Sequence, residues 1–99
     1  MTFTEKVHAV VAKIPKGKVM TYGAVAKAAG KPNAARAVGM IMSHNKDTKA
    51  VPCRRVVAST GALTGYAFGG PAMKKKLLMK EGVKFKGAKV DLEKSGVKI

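Results

Sequence analysis

Ninety-nine residues suffice for one modest hydrophobic core and are too few for a second lobe of similar size, so a single domain over residues 1–99 is expected. The 46% hydrophobic content is that of a globular chain, whereas 20 Lys and Arg against 5 Asp and Glu give a net charge of +15, the balance of a polyanion binder. No apolar run approaches bilayer length and no secretory or lipidation pattern is legible, which excludes a membrane protein from the expectation.

In chain order, Thr4 precedes Val7, Val10, Val11 and Ile14, the spacing of an amphipathic helix, with Phe3 where a hydrophobic staple would sit. This predicts a first helix from Glu5 to Ile14, ended by Pro15-Lys16-Gly17. Lys18 to Met20 reads as extended, and Thr21 as the N-cap of a second helix through Ala29, stopped by Gly30. Asn33 is the candidate cap of a third helix from Ala34 to Ser43. Its inner face is Ala34, Ala35, Val38, Ile41 and Met42, and Arg36, Gly39, Met40 and Ser43 lie on the other. The pair makes a helix-turn-helix pattern, in which Gly39, one turn after Arg36, allows a nucleic-acid backbone to approach closely.

Further on, Arg55 to Ala58 has strand character, Ser59-Thr60-Gly61 reads as a turn, and Ala62-Leu63-Thr64 pairs back as a small wing. A glycine-framed loop, Gly65 to Gly70, leads to Pro71 and a last helix ending near Glu81-Gly82. Met73, Leu77 and Leu78 are assigned inward, and Lys74, Lys75, Lys76 and Lys80 outward as a solvated face. Residues 83–92 suggest a short hairpin. The predicted fold is mainly α with a small β wing, a winged helix-turn-helix-like domain.

Cys53 is the only cysteine, so the chain makes no internal disulfide and no Cys-rich zinc site. A reducing cytoplasm or nucleoid is the expected location. His8 and His44 are far apart in sequence and lack ligand-like neighbours, and no metal is expected. The residues alone leave two readings of Cys53. It is a small buried hydrophobe, or, beside Arg54 and Arg55, a nucleophile whose thiolate is favoured by fixed positive charge.

Val51-Pro52-Cys53-Arg54-Arg55-Val56-Val57, with Thr21-Tyr22-Gly23 and Ala35-Arg36-Ala37-Val38-Gly39 before it and Gly65-Tyr66 and Leu77 to Gly82 after it, resembles the DNA-binding, active-site domain of O6-alkylguanine-DNA alkyltransferases. The similarity runs from Phe3 to Leu92. It implies a monomeric repair protein, without cofactor, that binds double-stranded DNA in the minor groove. Such a protein flips an O6-alkylated guanine out of the stack and takes the alkyl group irreversibly onto Cys53. By the same resemblance Arg36 fills the gap left in the stack, and Thr21, Tyr22, Ala35 and Gly39 lie along the DNA. Tyr22 also helps protonate the departing guanine, and Glu81 completes a proton relay. Pro52, Asn45, the carbonyls of Cys53 and Val56, and Tyr66 and Ala67 of the closing loop shape the pocket.

One position departs from the family string. Arg54 stands where the family has the relay histidine, and arginine has no lone pair to take a proton. Two roles for Arg54 stay open in the sequence: direct cationic support of the sulfur, with Glu81 as its ion-pair partner and water or Tyr22 handling protons, or a charge offset by that same Glu81 that leaves the sulfur inert. Three functions follow from the sequence: alkyl transfer to Cys53, lesion binding with little or no transfer, and general basic DNA binding.

Overall fold

The structure, a computed structural model, describes residues 1–47, 49–63 and 70–97. Its first helix, α1 (Phe3–Ala12), begins two residues earlier than its hydrophobic spacing suggests. Thr2, not Thr4, is the N-cap. Its hydroxyl accepts from the Glu5 backbone N–H at 3.1 Å while the Glu5 carboxylate accepts from the Thr2 N–H at 3.0 Å, a reciprocal box that satisfies two orphan donors. Phe3 is thereby the first helical residue and not a staple outside the helix.

A two-residue strand, β1 (Met20–Thr21), leads directly into α2 (Tyr22–Ala28), where Thr21 caps as expected through a 3.1 Å bond from Ala24 N–H. The third helix, α3 (Ala35–Ser43), starts without a side-chain cap: Ala34 holds the N-cap position and Asn33 plays no part in it. Val7 and Val11 of α1, Val25 and Ala26 of α2, and Val38 and Met42 of α3 bury together with Ile14 and Val56 in the main core. Branched and small side chains fill it, which lets the three short helices approach closely.

The segment after the cysteine corrects the wing expectation. Cys53–Arg55 forms a single 3₁₀ turn, and the strand is only β2 (Val56–Val57). It pairs in parallel with β1, Met20 opposite Val56 and Thr21 opposite Val57, not with Ala62 or Leu63. The predicted turn remains as a tight reversal closed by Gly61 N–H to Ala58 O and Ala58 N–H to Ala62 O. Thr64 and the predicted loop over residues 65–69 lie outside the described residues.

The remaining elements are α4 (Gly70–Lys80), the antiparallel pair β3 (Phe85–Lys86) and β4 (Lys89–Val90), which is the predicted tail hairpin, and a final turn α5 (Leu92–Ser95). A second cluster, Val19, Val57, Leu78, Val83 and Val90, joins these to the parallel pair. The chain end ties back to the residue before β1, through Val19 N–H to Ser95 O and Val97 N–H to Val19 O, both 2.8 Å. No helix among the described residues is long and apolar enough to cross a membrane.

On α4 the facing of two side chains is the reverse of the expectation. Met73 is 39% exposed, whereas Lys74 is 1% exposed and packs on the same side as Leu78. Gly61 carries a different constraint. It holds φ +86°, and a Cβ there would run into the Val90 backbone carbonyl. Gly61→Ala is expected to lower stability by about 3 kcal/mol, since backbone strain and a clash with main chain add. Urea unfolding checks it, and a loss within about 0.5 kcal/mol would show that β4 can move aside.

Candidate functional site

The parallel pair of β1 and β2 builds the site. It fixes Thr21, and with it the start of α2, next to the strand that leaves the Cys53 turn. Two stretches more than thirty residues apart in sequence thus share one rigid frame. Tyr22 is half-buried at the head of α2, and Gly39 of α3 faces its ring, a Cβ at Gly39 falling 3.9 Å from Tyr22 Cε1. Between the helix pair and the reversal at Ala58 and Ser59 lies a groove of about 550 Å³, its other walls including Tyr22, Ala35, Arg36 and Gly39. Arg36 is exposed at that groove.

Cys53 lies deeper, 6% exposed, on the 3₁₀ turn. Its backbone N–H donates to Val51 O at 2.8 Å, and Arg55 N–H donates to Pro52 O at 2.9 Å, so Pro52 and Cys53 are held by main chain on both sides. Asn45 locks the approach to this turn. It is 5% exposed, its Nδ2 donates to Val51 O at 2.8 Å, and its Oδ1 accepts from Asp47 N–H at 3.2 Å, tying the end of α3 to the residue two before the cysteine. The helix ends on His44, so Asn45 is a cross-brace and not a cap.

Glu81 does pair with Arg54, Oε2 accepting from Nη2 at 2.6 Å, but Arg55 takes a larger share. Its Nη2 and Nε donate to the two carboxylate oxygens at 2.6 and 3.1 Å, and its Nη1 donates to Ile14 O at 2.8 Å. Burial pushes the Glu81 carboxyl up; hydrogen bonds and charge from Arg55 and Arg54 outweigh this and bring it down to about 2. The Arg54 guanidinium is thus committed to a carboxylate. The sequence marks Arg55 only as a second cation beside Cys53, and a tandem Arg-Arg offers no signal of which member is the structural clamp.

Lys74 is the second residue the sequence reading missed. Its Nζ donates to Val56 O at 2.7 Å and lies 5.8 Å from the centroid of the Tyr22 ring. Burial pulls its proton affinity down, to about 8, while Cys53 is near enough for its charge to act in the opposite direction. A signal existed: Lys74, Leu77, Leu78 and Glu81 follow the i, i+3, i+4, i+7 spacing, so the face that carries Glu81 carries Lys74 as well. The Val56 carbonyl therefore meets an ammonium, and the Cys53 carbonyl accepts the Val56 N–H. Each carbonyl oxygen has a second lone pair for another donor. Tyr66 and Ala67 lie outside the described residues.

His8 and His44, remote in sequence, line one groove of about 390 Å³ between α1 and α3, with Met40 and Ile41 beside them. The described residues contain no group of three His, Cys, Asp or Glu side chains able to hold a metal.

Residues 2–83 match the family model described as the DNA-binding domain of 6-O-methylguanine DNA methyltransferase. The chain belongs to that family. Among curated members of the methyltransferase family, the methylated-DNA–protein-cysteine methyltransferase of Shigella flexneri is 45% identical over 80 residues, 81% of this chain and 46% of that protein. The chain thus spans about half the length of such relatives. Among solved structures of the family, Mycobacterium tuberculosis OGT in complex with DNA superposes with a TM-score of 0.77 at 41% identity, covering 83% of this chain and 50% of that one. S. pombe Atl1, in complex with damaged DNA containing O6-carboxymethylguanine, superposes with a TM-score of 0.85 at 35% identity. It covers 98% of this chain and 95% of its own.

Proposed function

We propose that the protein repairs O6-alkylated guanine in double-stranded DNA by transferring the alkyl group to Cys53, once per molecule. The observation that carries this reading is the β1–β2 pair, which sets the Cys53 turn beside the helix-turn-helix in one frame. The damaged duplex lies against α2 and α3, with Thr21, Ala35 and Gly39 along the backbone and Arg36 in the stack. An O6-alkylated base is enclosed by duplex stacking, and extrusion is what gives sulfur access to it. Asn45 and Pro52 hold the turn, Val56 O accepts from the guanine amine, and Tyr66 and Ala67 close over the base.

In the chemical step the Cys53 sulfur attacks the alkyl carbon, a C–S bond forms, the C–O6 bond breaks, and its electron pair leaves with guanine, which takes a proton from Tyr22 or water. The product thioether is stable, so the protein is consumed. The thiolate is itself the acceptor, and the reaction draws on no cofactor. A basic, monomeric protein acting this way belongs in the cytoplasm on the nucleoid.

A second reading, lesion binding with little transfer, is favoured by one observation. Arg54 is no proton acceptor, and its charge is bound to Glu81. Incubation with a duplex containing O6-methylguanine, followed by intact-protein mass spectrometry, separates the two. Transfer adds one methyl to Cys53 in a one-to-one yield; lesion-selective binding without the adduct leaves the second reading in place of the first.

A further inference from the structure

The strand that delivers Tyr22 is held on both edges, and the second edge belongs to residues with no part in the site described above. β1 pairs with β2 on one side; on the other, the residue leading into it, Val19, forms a parallel bridge to Gly96. Val19 is fully buried, so its backbone polar groups are cut off from water. Its N–H donates to Ser95 O and its carbonyl accepts from Val97 N–H, both at 2.8 Å. Residues 95–97 thus act as a third parallel strand beside a two-residue pair too short to be firm by itself. That third strand is fixed in turn. Ser95 is 2% exposed and its hydroxyl accepts from Lys84 N–H at 2.8 Å, while Asp91 caps the turn of α5 before it. All of these anchoring residues lie beyond the 2–83 span of the family match.

We propose that Gly96 and Val97 are positioning residues for the transfer step, setting the Tyr22 phenol against the departing guanine by pinning Val19 and the strand it opens. This rests on the alkyl-transfer reading of the site and adds residues to it. Thr21 is the link. It pairs with Val57 in the sheet and its hydroxyl accepts from Ala24 N–H at 3.1 Å, so the start of α2 moves with β1. A proton donor acts only within hydrogen-bond reach, and a small misplacement of a catalytic group costs rate steeply. Gly96 is the sensitive position: a Cβ there would run into the Leu92 carbonyl, which already accepts the Gly96 N–H, so a side chain must displace the bridge.

The test is a double-mutant cycle on the full chain, read as the single-turnover rate of methyl transfer from a saturating O6-methylguanine duplex. Gly96→Ala is expected to slow transfer about tenfold. In a Tyr22→Phe background the same substitution is expected to change the rate by less than about twofold, because the group it positions is gone. Equal losses in the two backgrounds are what a merely structural strand would give, and they would overturn the proposal. An unchanged rate for Gly96→Ala with the tyrosine present would do the same.

Should Gly96→Ala fail to fold, Val97→Pro withdraws the one N–H donated to Val19 O and is held to the same outcomes. Lesion-selective binding without an adduct in the unsubstituted protein would overturn the transfer reading instead. The cycle is then read on affinity for the O6-methylguanine duplex, and equal losses in both backgrounds there refute the link between residues 96–97 and Tyr22. No preference for the lesion over undamaged DNA would overturn the alkylguanine reading and the positioning role together.

Discussion

Glu81→Gln is expected to lower stability by about 3 kcal/mol. The carboxylate is 10% exposed and accepts from both Arg54 and Arg55, whose side chains are only 19% and 13% exposed. Removing its charge leaves two partly buried guanidiniums on a neutral amide, with Ile14 O still an acceptor for Arg55. The folded carboxyl titrates at about 2 against 4.5 for the ordinary group, which corresponds to about 3 kcal/mol.

Because the folded value is the lower one, this stability is complete above about pH 4.5 and is lost as the pH falls towards 2. Urea unfolding between about pH 6 and pH 3 should show the native protein weakening steeply where the Glu81→Gln variant changes less. Parallel slopes in the two proteins would mean that the double clamp adds nothing to stability.

Arg54→His is expected to raise the rate of methyl transfer at neutral pH by about a hundredfold, the lower end of what a positioned general base supplies. Arg54 accepts no proton, and its guanidinium is held by Glu81. The substitution frees that oxygen of Glu81 from one donor while Arg55 still grips both carboxylate oxygens, so the carboxylate stays in place to orient an imidazole. The rate should then rise with pH through about 6.5, the range in which an ordinary histidine loses its proton. Single-turnover kinetics on an O6-methylguanine duplex measure both. An unchanged rate would show that Cys53 is already activated without a base, with Lys74 the cation in position to do it.

How much of this was legible in the sequence differs by element. The helix-turn-helix was, since Thr21 is a strong cap and Val25, Val38 and Met42 hold the helical period; both depend on near neighbours in the chain. Cap positions were less secure. Thr2 and Thr4 both precede the same apolar stripe, and only the reciprocal partner three residues on, Glu5, distinguishes them. Asn33 looked the better cap by residue type, yet the chain enters α3 through Ala34 with the helix start held by packing of Ala34 and Val38 against the core. The Cys53 turn was located by its residues, but the partner of the strand that follows was not, because a parallel pair leaves no local turn signal.

By itself, then, the sequence determined a basic, mainly helical domain, the ordered family motifs, the lone thiol and the arginine beside it, all properties of residue type and short-range spacing. Only the tertiary structure decided where the charges near that thiol go. Arg54 turns to Glu81, Arg55 spans Glu81 and Ile14, and Lys74, expected in solvent, is buried at Val56 and Tyr22. The physical reason is that a long cationic side chain follows whichever acceptor the fold brings within reach. That choice is made by contacts between residues 18 to 52 positions apart, about which local hydrophobic pattern says nothing. The cation nearest to Cys53 in sequence is thus spent on a carboxylate, and the one bound to the strand that leaves its turn comes from a helix twenty residues further on.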